Sequence, residues 1–205
     1  MHLTIEQGKQ VVAIARSTLD SSIKTGKYRK LGGSDAYLGE KRGVFVTLNT
    51  VEGGRSMLRG CIGFPYPVKQ LGEAVQEATV EASSYDPRFP PVRPEELDGI
   101  VVEVSVLTVP VELKVRNRKE MPSKVKVGED GLMISTEFTS GLLLPQVATE
   151  QGWDAEEFLN QACMKAGLSP DSWLIPSTTV QTFQADIFAG SSPRGEVEHV
   201  ALPVS

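Results

Sequence analysis

The hexapeptide Leu58–Gly63, with the sequence LRGCIG, contains the residue of this chain that is best suited to covalent chemistry. Cys61, one of only two cysteines, follows Gly60 there, and Gly63 closes the motif. A thiolate is a strong nucleophile, and glycine lacks the β-carbon that would block the approach of a ligand. We predict that the motif occupies the end of a strand and the turn after it, with a helix beginning near Pro67. The N-terminal dipole of that helix would favour the thiolate.

Cys61 also fits a structural role, because free cysteine is among the most buried residue types. In that interpretation the motif glycines permit tight backbone packing in a turn. The chain has only two histidines, His2 and His199, one near each end. A Cys-His dyad, a Ser-His-Asp triad and a His-rich metal site are therefore not expected. Both interpretations of Cys61 stay open, and we assign no metal and no cofactor.

Four further residues are candidates for a site around the thiol. Arg59 is predicted either to assist Cys61 and bind an anion or to pair with a carboxylate. Asp86 and Arg88 lie in a segment with four prolines over residues 87–94, which makes the loop stiff. Asp86 is predicted to cap the turn, or to line a ligand site together with Arg88. Gln146 either presents its amide to a ligand at a helix N-terminus or is an exposed first-turn residue.

The elements that must position these residues form an α+β fold, with mainly antiparallel sheets flanked by helices. Apolar residues at helical spacing and runs of β-branched residues carry this prediction. Residues 1–190 are expected to form one domain and residues 191–205 a polar C-terminal tail. Helices are predicted over 5–21 and 67–84, from Pro145, and after Asp154, and strands over 43–48, 57–62, 100–108, 111–115 and 180–188, with a further hairpin over 125–135.

Composition excludes several classes of protein. The chain has 205 residues and a net charge of −5, which argues against a generic nucleic-acid binder. It lacks an apolar run of about 18 residues, so no membrane span is expected. The N-terminus has no basic and apolar signal-peptide pattern, and two distant cysteines give no disulfide framework, so a cytoplasmic location is expected. A basic segment keeps nucleic-acid binding as an alternative; its members are Lys114, Arg116, Arg118, Lys119, Lys124 and Lys126.

Several segments along almost the whole chain resemble the AMMECR family, named for a human chromosomal region linked to Alport syndrome, midface hypoplasia and elliptocytosis. The resemblance implies an α+β fold of two lobes with a cleft between them and the hexapeptide near that cleft. It implies no established activity. The matching segments are Gly43–Leu48, Leu58–Gly63, Asp86–Val92, Glu103–Thr108 and Gly141–Ala148, and the series Trp153, Phe158, Leu159, Cys163 and Lys165–Leu168.

Three hypotheses for the function follow. The first is an enzyme or enzyme component with a small-molecule site near Cys61 and Arg59. The second is an adaptor or binding module for a Memo-like or radical-SAM protein, partners that the family resemblance implies. The third is nucleic-acid binding through the basic segment.

Overall fold

The chain forms two compact units in the computed structural model, which describes residues 2–31 and 35–200. Unit 1 is discontinuous and comprises the chain up to Leu107 together with Asp186–Val200, and unit 2 is Thr108–Ala185. The described elements are α1 (Ile5–Thr25), β1 (Val44–Glu52), β2 (Arg55–Phe64), α2 (Leu71–Ser84), β3 (Ile100–Leu107), β4 (Val111–Glu112), β5 (Gly131–Ser135), β6 (Ser140–Leu143), α3 (Pro145–Gln151), α4 (Ala155–Lys165), β7 (Thr179–Phe183), β8 (Ala185–Gly190) and β9 (Val197–His199). The predicted α+β class with antiparallel sheets is confirmed.

Unit 1 has a five-stranded sheet in the order β2-β1-β3-β8-β9, so β2 is an edge strand. Helices α1 and α2 pack on one face of this sheet, where Val44, Val46 and Leu48 of β1 are fully buried among apolar helix residues. Burial of this apolar surface is the main stabilising contribution to the unit. The opposite face carries the alternate residues of each strand, including Cys61 of β2.

The hairpin of β1 and β2 differs from the prediction. A loop was expected over residues 49–56, but the strands continue to Glu52 and from Arg55, joined by Gly53 and Gly54. Both glycines have positive φ, at 56° and 77°, which glycine adopts at no steric cost and which a tight hairpin turn requires. The whole hexapeptide therefore lies within β2, and the prediction of a turn at Cys61 is wrong.

The helix after the motif begins later than predicted, at Leu71 instead of Pro67. The preceding segment is held in place by backbone hydrogen bonds to residues 40–42. The Arg42 amide donates to the Lys69 carbonyl at 3.3 Å, and the Leu71 amide donates to the Glu40 carbonyl at 2.8 Å. Because these bonds hold residues 69 and 70 against this segment and Gln70 is extended, the helix begins only at Leu71.

The ends of α1 follow the capping rules. Thr4 and Gln7 form the predicted capping box, and Gly26, with φ 69°, ends the helix. The helix continues to Thr25, beyond the predicted end near residue 21, because these residues retain helical bonding up to the glycine. The predicted tail also contains structure, since β9 pairs with β8; residues 201–205 lie outside the described part.

Unit 2 has a four-stranded sheet in the order β4-β7-β5-β6 and its own core around the fully buried Phe158 and Leu159. The predicted hairpin over 125–135 is wrong, because β5 pairs with β6 instead. The Asp130 carboxylate accepts the Lys126 amide at 2.9 Å and closes a turn where a first strand was expected.

One predicted strand, over 180–188, is divided between the two sheets. β7 belongs to unit 2 and β8 to unit 1, and Gln184 stands between them. Its amide donates to the Thr108 hydroxyl at 2.9 Å, and its carbonyl accepts from the Thr108 amide at 2.8 Å. The strand predicted over 111–115 is shorter in the structure, where β4 covers only Val111–Glu112.

No helix among the described residues is long and apolar enough to cross a membrane.

Candidate functional site

Cys61 lies in the interior of β2, opposite Thr47 of β1 in the antiparallel register. Its side chain is half-buried and points to the sheet face opposite α1 and α2. The Thr47 hydroxyl donates a hydrogen bond to the Cys61 sulfur at 3.3 Å. This contact fixes the sulfur beside a hydroxyl donor of the neighbouring strand.

Asp86 and Arg88 hold the backbone of Cys61 from the open edge of the sheet. The Asp86 carboxylate accepts the Cys61 amide at 2.9 Å, and Arg88 Nη2 donates to the Cys61 carbonyl at 3.0 Å. Arg88 also donates to Asp86 from Nε at 3.0 Å and from Nη2 at 2.7 Å. An edge strand has unpaired backbone groups, and these two side chains satisfy both of them at Cys61. The stiff proline loop therefore fixes the position of the thiol-bearing residue.

Asp86 and Arg88 stabilise each other in their charged forms. The pKa of the Asp86 carboxyl is well below its usual range, chiefly because Arg88 donates to it, and because the Cys61 and Arg88 amides do so too. The pKa of Arg88 is raised, first by its hydrogen bond to Asp86 and to a lesser extent by the neighbouring Cys61. Asp86 is 2% exposed in its side chain, whereas Arg88 is 52% exposed. The Arg88 guanidinium is thus an accessible cation close to the sulfur.

Arg59 occupies an irregularity of the hairpin, since Leu48 pairs with Gly60 while the next residue, Asn49, pairs with Leu58. Arg59 is the extra residue of this β-bulge, a feature that redirects a side chain. Its Nε and Nη2 donate to the Glu96 carboxylate at 2.7 and 3.1 Å, and its Nη1 is buried without a hydrogen bond to a described residue. Arg59 lowers the pKa of Glu96 chiefly through this bond. The carboxylate pairing that the sequence left open for Arg59 is therefore observed.

The motif glycines serve packing in this structure. A β-carbon at Gly60 would overlap the Ala82 carbonyl oxygen near the end of α2, and one at Gly63 would overlap Phe45. Their absence lets the helix and the neighbouring side chain approach closely. The C-terminal part of α2 therefore lies next to the motif. The prediction that a helix N-terminus favours the thiolate of Cys61 is wrong, since the helix end beside the motif is a C-terminus, which has partial negative charge.

Glu103 is a site residue that sequence reasoning missed. It lies on β3 directly opposite Thr47, which in turn faces Cys61, so the three side chains form a row across adjacent strands. Directly opposed side chains have β-carbons about 4.5–5.5 Å apart. Glu103 has no hydrogen bond or ion pair to any described residue, and burial raises the pKa of its carboxyl. The one available signal was a carboxylate within the largely apolar segment Ile100–Leu107.

Gln146 is the only predicted site residue in unit 2; the other six lie in unit 1. It follows Pro145 in the first turn of α3, as predicted. Its Oε1 is buried without a hydrogen bond to any described residue, and so is the hydroxyl of Thr149 one turn later. Ligand binding by Gln146 stays a prediction.

Comparison with known proteins assigns the chain to a family. The AMMECR1 family model matches residues 12–188. The chain belongs to the AMMECR1 family. It is 50% identical over 199 residues to a protein of Thermococcus gammatolerans, covering 96% of this chain and 97% of that one. It is 48% identical over 195 residues to a protein of Methanocaldococcus jannaschii, covering 95% and 96%. The crystal structure of an uncharacterised protein from Pyrococcus horikoshii matches with a TM-score of 0.83 and 48% identity, covering 96% of this chain and 98% of that one.

The basic segment of this AMMECR1 chain is partly engaged within unit 2. Arg118 donates to the carbonyls of Trp173 and Thr178 at 2.6 and 2.5 Å, which gives it a structural role. Lys114 pairs with Glu112 at 3.7 Å, and Lys126 pairs with a neighbouring glutamate. Among the described residues, no group of three or more His, Cys, Asp or Glu side chains is arranged to hold a metal ion.

Proposed function

We propose that this AMMECR1-family chain is a cytoplasmic enzyme or enzyme component that acts on a small molecule with the Cys61 thiol as nucleophile. The observation that carries the proposal is the row Cys61–Thr47–Glu103 on one sheet face, with Arg88 beside the sulfur. Perturbed titratable groups gathered around a nucleophile are typical of catalytic sites.

Each neighbour of the thiol has a separate role in the proposed reaction. Glu103, as carboxylate, is the acceptor of the thiol proton, because its raised pKa makes it a stronger base than an ordinary carboxylate. Thr47, which lies between them in the row, keeps its hydroxyl against the sulfur. Sulfur then forms a bond to an electrophilic carbon of the substrate while a leaving group departs, and Glu103 returns the proton to that leaving group. No imidazole is needed in this scheme.

Arg88 is the residue best placed to bind the substrate. Its Nε and Nη2 donate to Asp86 and the Cys61 carbonyl, whereas Nη1 has no hydrogen bond to a described residue. An arginine with a free, exposed donor next to a nucleophile suits a substrate with a carboxylate or phosphate group. Asp86 acts as a positioning residue that orients both Arg88 and the Cys61 backbone. Ligand contact by Gly60 or Gly63 remains a prediction, and ligand binding by Gln146 remains a separate prediction for unit 2.

Alkylation of the folded chain by iodoacetamide tests the nucleophile directly. Cys61 is half-buried and Cys163 is fully buried, so Cys163 is an internal control. We expect Cys61 to react in the native protein and Cys163 only after unfolding. Arg88→Gln should slow alkylation of Cys61 at neutral pH about tenfold, because the cation that favours the thiolate is lost.

Arg93→Gln is the matched control, since Arg93 lies in the same loop and is 77% exposed. It should leave the rate unchanged. The proposal is contradicted if Cys61 stays unreactive until the protein unfolds, or if both arginine variants change the rate equally. Peptide mass spectrometry identifies which cysteine has reacted.

The adaptor hypothesis is a second candidate, supported by exposed apolar residues on the β1–β2 hairpin. Val51 is 45% exposed, Met57 46% and Leu58 42%. Such a group favours contact with another protein. We expect Met57→Lys to weaken co-purification with a Memo-like or radical-SAM protein of the same organism, while Phe138→Lys, at an 89% exposed position of unit 2, should not. No co-purification with either partner would contradict this hypothesis.

A further inference from the structure

A cavity of unit 1 lies between α1, β3 and the hairpin of β8 and β9. Its volume is about 230 Å³. Val102 of β3 lines it and pairs with Leu48, whose side chain belongs to the helix-covered face of the sheet. Glu103 and Cys61 belong to the opposite face. The cavity is therefore separate from the thiol site.

The floor of the cavity is apolar. Val12 and Val102 line it and are 5% and 4% exposed, with Ala13 and Val197 beside them. A cavity of about 150 Å³ is large enough to hold a benzene ring. The space therefore fits one ring or a short aliphatic chain, and it excludes a nucleotide-sized ligand.

The rim of the cavity is cationic. Lys9, Arg16 and Arg194 line it, together with Ser192, and no acidic side chain is among its lining residues. The acidic partners of these cations, including Asp20, do not line the cavity. These ion pairs partly compensate the cations from outside the cavity, whereas all the charged groups that line it are cationic, which favours an anion over a cation there.

Arg16 is the least compensated of these cations. Its Nη1 and Nη2 donate to the backbone carbonyls of Ile100 and Leu97. Its Nε is buried and makes no hydrogen bond to a described residue, although an Asp20 oxygen lies 3.3 Å away. Burial is the main cause of the lowered pKa of Arg16. A ligand anion would restore part of the lost solvation.

Arg194 holds the hairpin beside α1. Its Nη1 and Nη2 donate to Asp20 of α1 at 2.8 and 3.2 Å, and its Nε donates to Asp98 at 2.9 Å. Its φ is 61°, the one positive value among the described non-glycine residues. Strained backbone of this kind persists where the surrounding contacts enforce it, often at binding sites.

We propose that this cavity binds a small organic monoanion, a carboxylate with a single ring or short aliphatic body. The apolar body occupies the floor between Val12 and Val102, and the carboxylate faces Lys9, Arg16 and Arg194. An inorganic anion would leave the floor unfilled, and a neutral ring would leave Arg16 Nε without a charged acceptor from the ligand.

Benzoate and benzyl alcohol are matched probes, because they share the ring and differ in charge. We expect benzoate to shift the backbone amide NMR signals of Gly190, Ser192 and Gly195 in a saturable manner. Benzyl alcohol should bind about tenfold more weakly or not at all, as expected for the loss of a charged hydrogen-bonding group. Lys9→Ala should weaken benzoate binding severalfold, and Lys27→Ala, at an exposed lysine that does not line the cavity, should leave it unchanged.

Two further variants test the cavity independently of Lys9→Ala. Arg194→Asn removes the charge while keeping a residue that tolerates positive φ, and it should weaken benzoate about tenfold. Ala13→Phe, at an exposed helix position, should block the cavity and abolish binding with the spectrum of the fold retained. Equal affinity for benzoate and benzyl alcohol, or the absence of saturable shifts at these amides, would overturn the proposal.

Discussion

Two carboxyl groups near Cys61 have opposite electrostatic surroundings. Asp86 accepts hydrogen bonds from Arg88 and from the Cys61 amide, and its pKa is lowered. Glu103 is half-buried beside Thr47 without a partner among the described residues, and desolvation raises its pKa. Asp86 therefore contributes stability above the pKa it has in the unfolded chain, and this contribution is lost as the pH falls through its folded pKa. The raised pKa of Glu103 has the opposite effect, because its ionisation at higher pH lowers the folding stability.

The sign for Glu103 leads to a testable pH dependence. In the unfolded chain its carboxyl ionises near 4.5, whereas in the folded chain it retains the proton to higher pH. Folding stability is therefore lost as the pH rises above 4.5 and until the folded pKa is passed. We expect Glu103→Gln to be more stable than the unmodified chain at pH 7 and to lose this advantage at pH 4. Urea unfolding at the two pH values measures the difference.

The matched control is Glu95→Gln, at an exposed glutamate in the segment before β3. It should change stability little at either pH. If Glu103→Gln instead destabilises the chain at pH 7, the Glu103 carboxylate has a favourable partner and its role as a poorly solvated base is contradicted. If Glu103→Gln stabilises the chain, the result would agree with a functional role of Glu103 that lowers the stability of the fold.

At the scale of elements, the strongly periodic segments were predictable and the ends of the hairpin were not. The α1 capping box and the C-terminal end of α2 at Ser84 are confirmed. The hexapeptide was expected to reach a turn because glycines flank Cys61 and prolines follow the motif, whereas all of it lies within β2, with a bulge at Arg59. A two-residue glycine turn cannot be distinguished from a longer loop without the register of both strands.

The candidate site was predictable only in part, because it depends on contacts between distant residues. The hexapeptide and the proline loop each stand out locally, and the structure joins them through the bond of Asp86 to the Cys61 amide. Thr47 carries no local signal and Glu103 only that of a carboxylate in an apolar segment, since the register of three strands is what aligns them with Cys61. Cross-strand register is set by tertiary packing as much as by sequence pattern.

The contact between Gly60 and α2 is an element-scale prediction. A β-carbon there would overlap the Ala82 carbonyl oxygen, which is backbone and cannot rotate away. We expect Gly60→Ala to destabilise the chain by about 1–3 kcal/mol, as overpacking does. Gly39→Ala is the control, because a β-carbon at Gly39 meets nothing within 4 Å and its backbone is helical. Thermal unfolding of both variants gives the comparison, and equal stability would show that α2 shifts freely on the sheet.

At the scale of the whole molecule, both proposed sites belong to unit 1 but lie on opposite faces of its sheet. The thiol row uses the face carrying Cys61 and Glu103, and the cationic cavity uses the helix-covered face at Val102. β3 contributes to both, since alternate residues of one strand point to opposite faces. One central strand can therefore serve two separate ligands, and the occupation of each site can be measured independently.

The charge of the whole chain decides the remaining hypothesis. The net charge is −5, and in the basic segment Arg118 is bound to backbone carbonyls while Lys114 and Lys126 face glutamates. Nucleic-acid binding depends on basic groups that are free to contact phosphates. We expect no binding of duplex DNA or single-stranded RNA at about 150 mM salt, a concentration at which exposed charges are screened beyond about 8 Å. Fluorescence anisotropy with labelled oligonucleotides measures this. Binding that weakens steeply with salt and disappears in Lys119→Gln/Lys124→Gln would contradict the expectation and assign the function to the basic segment.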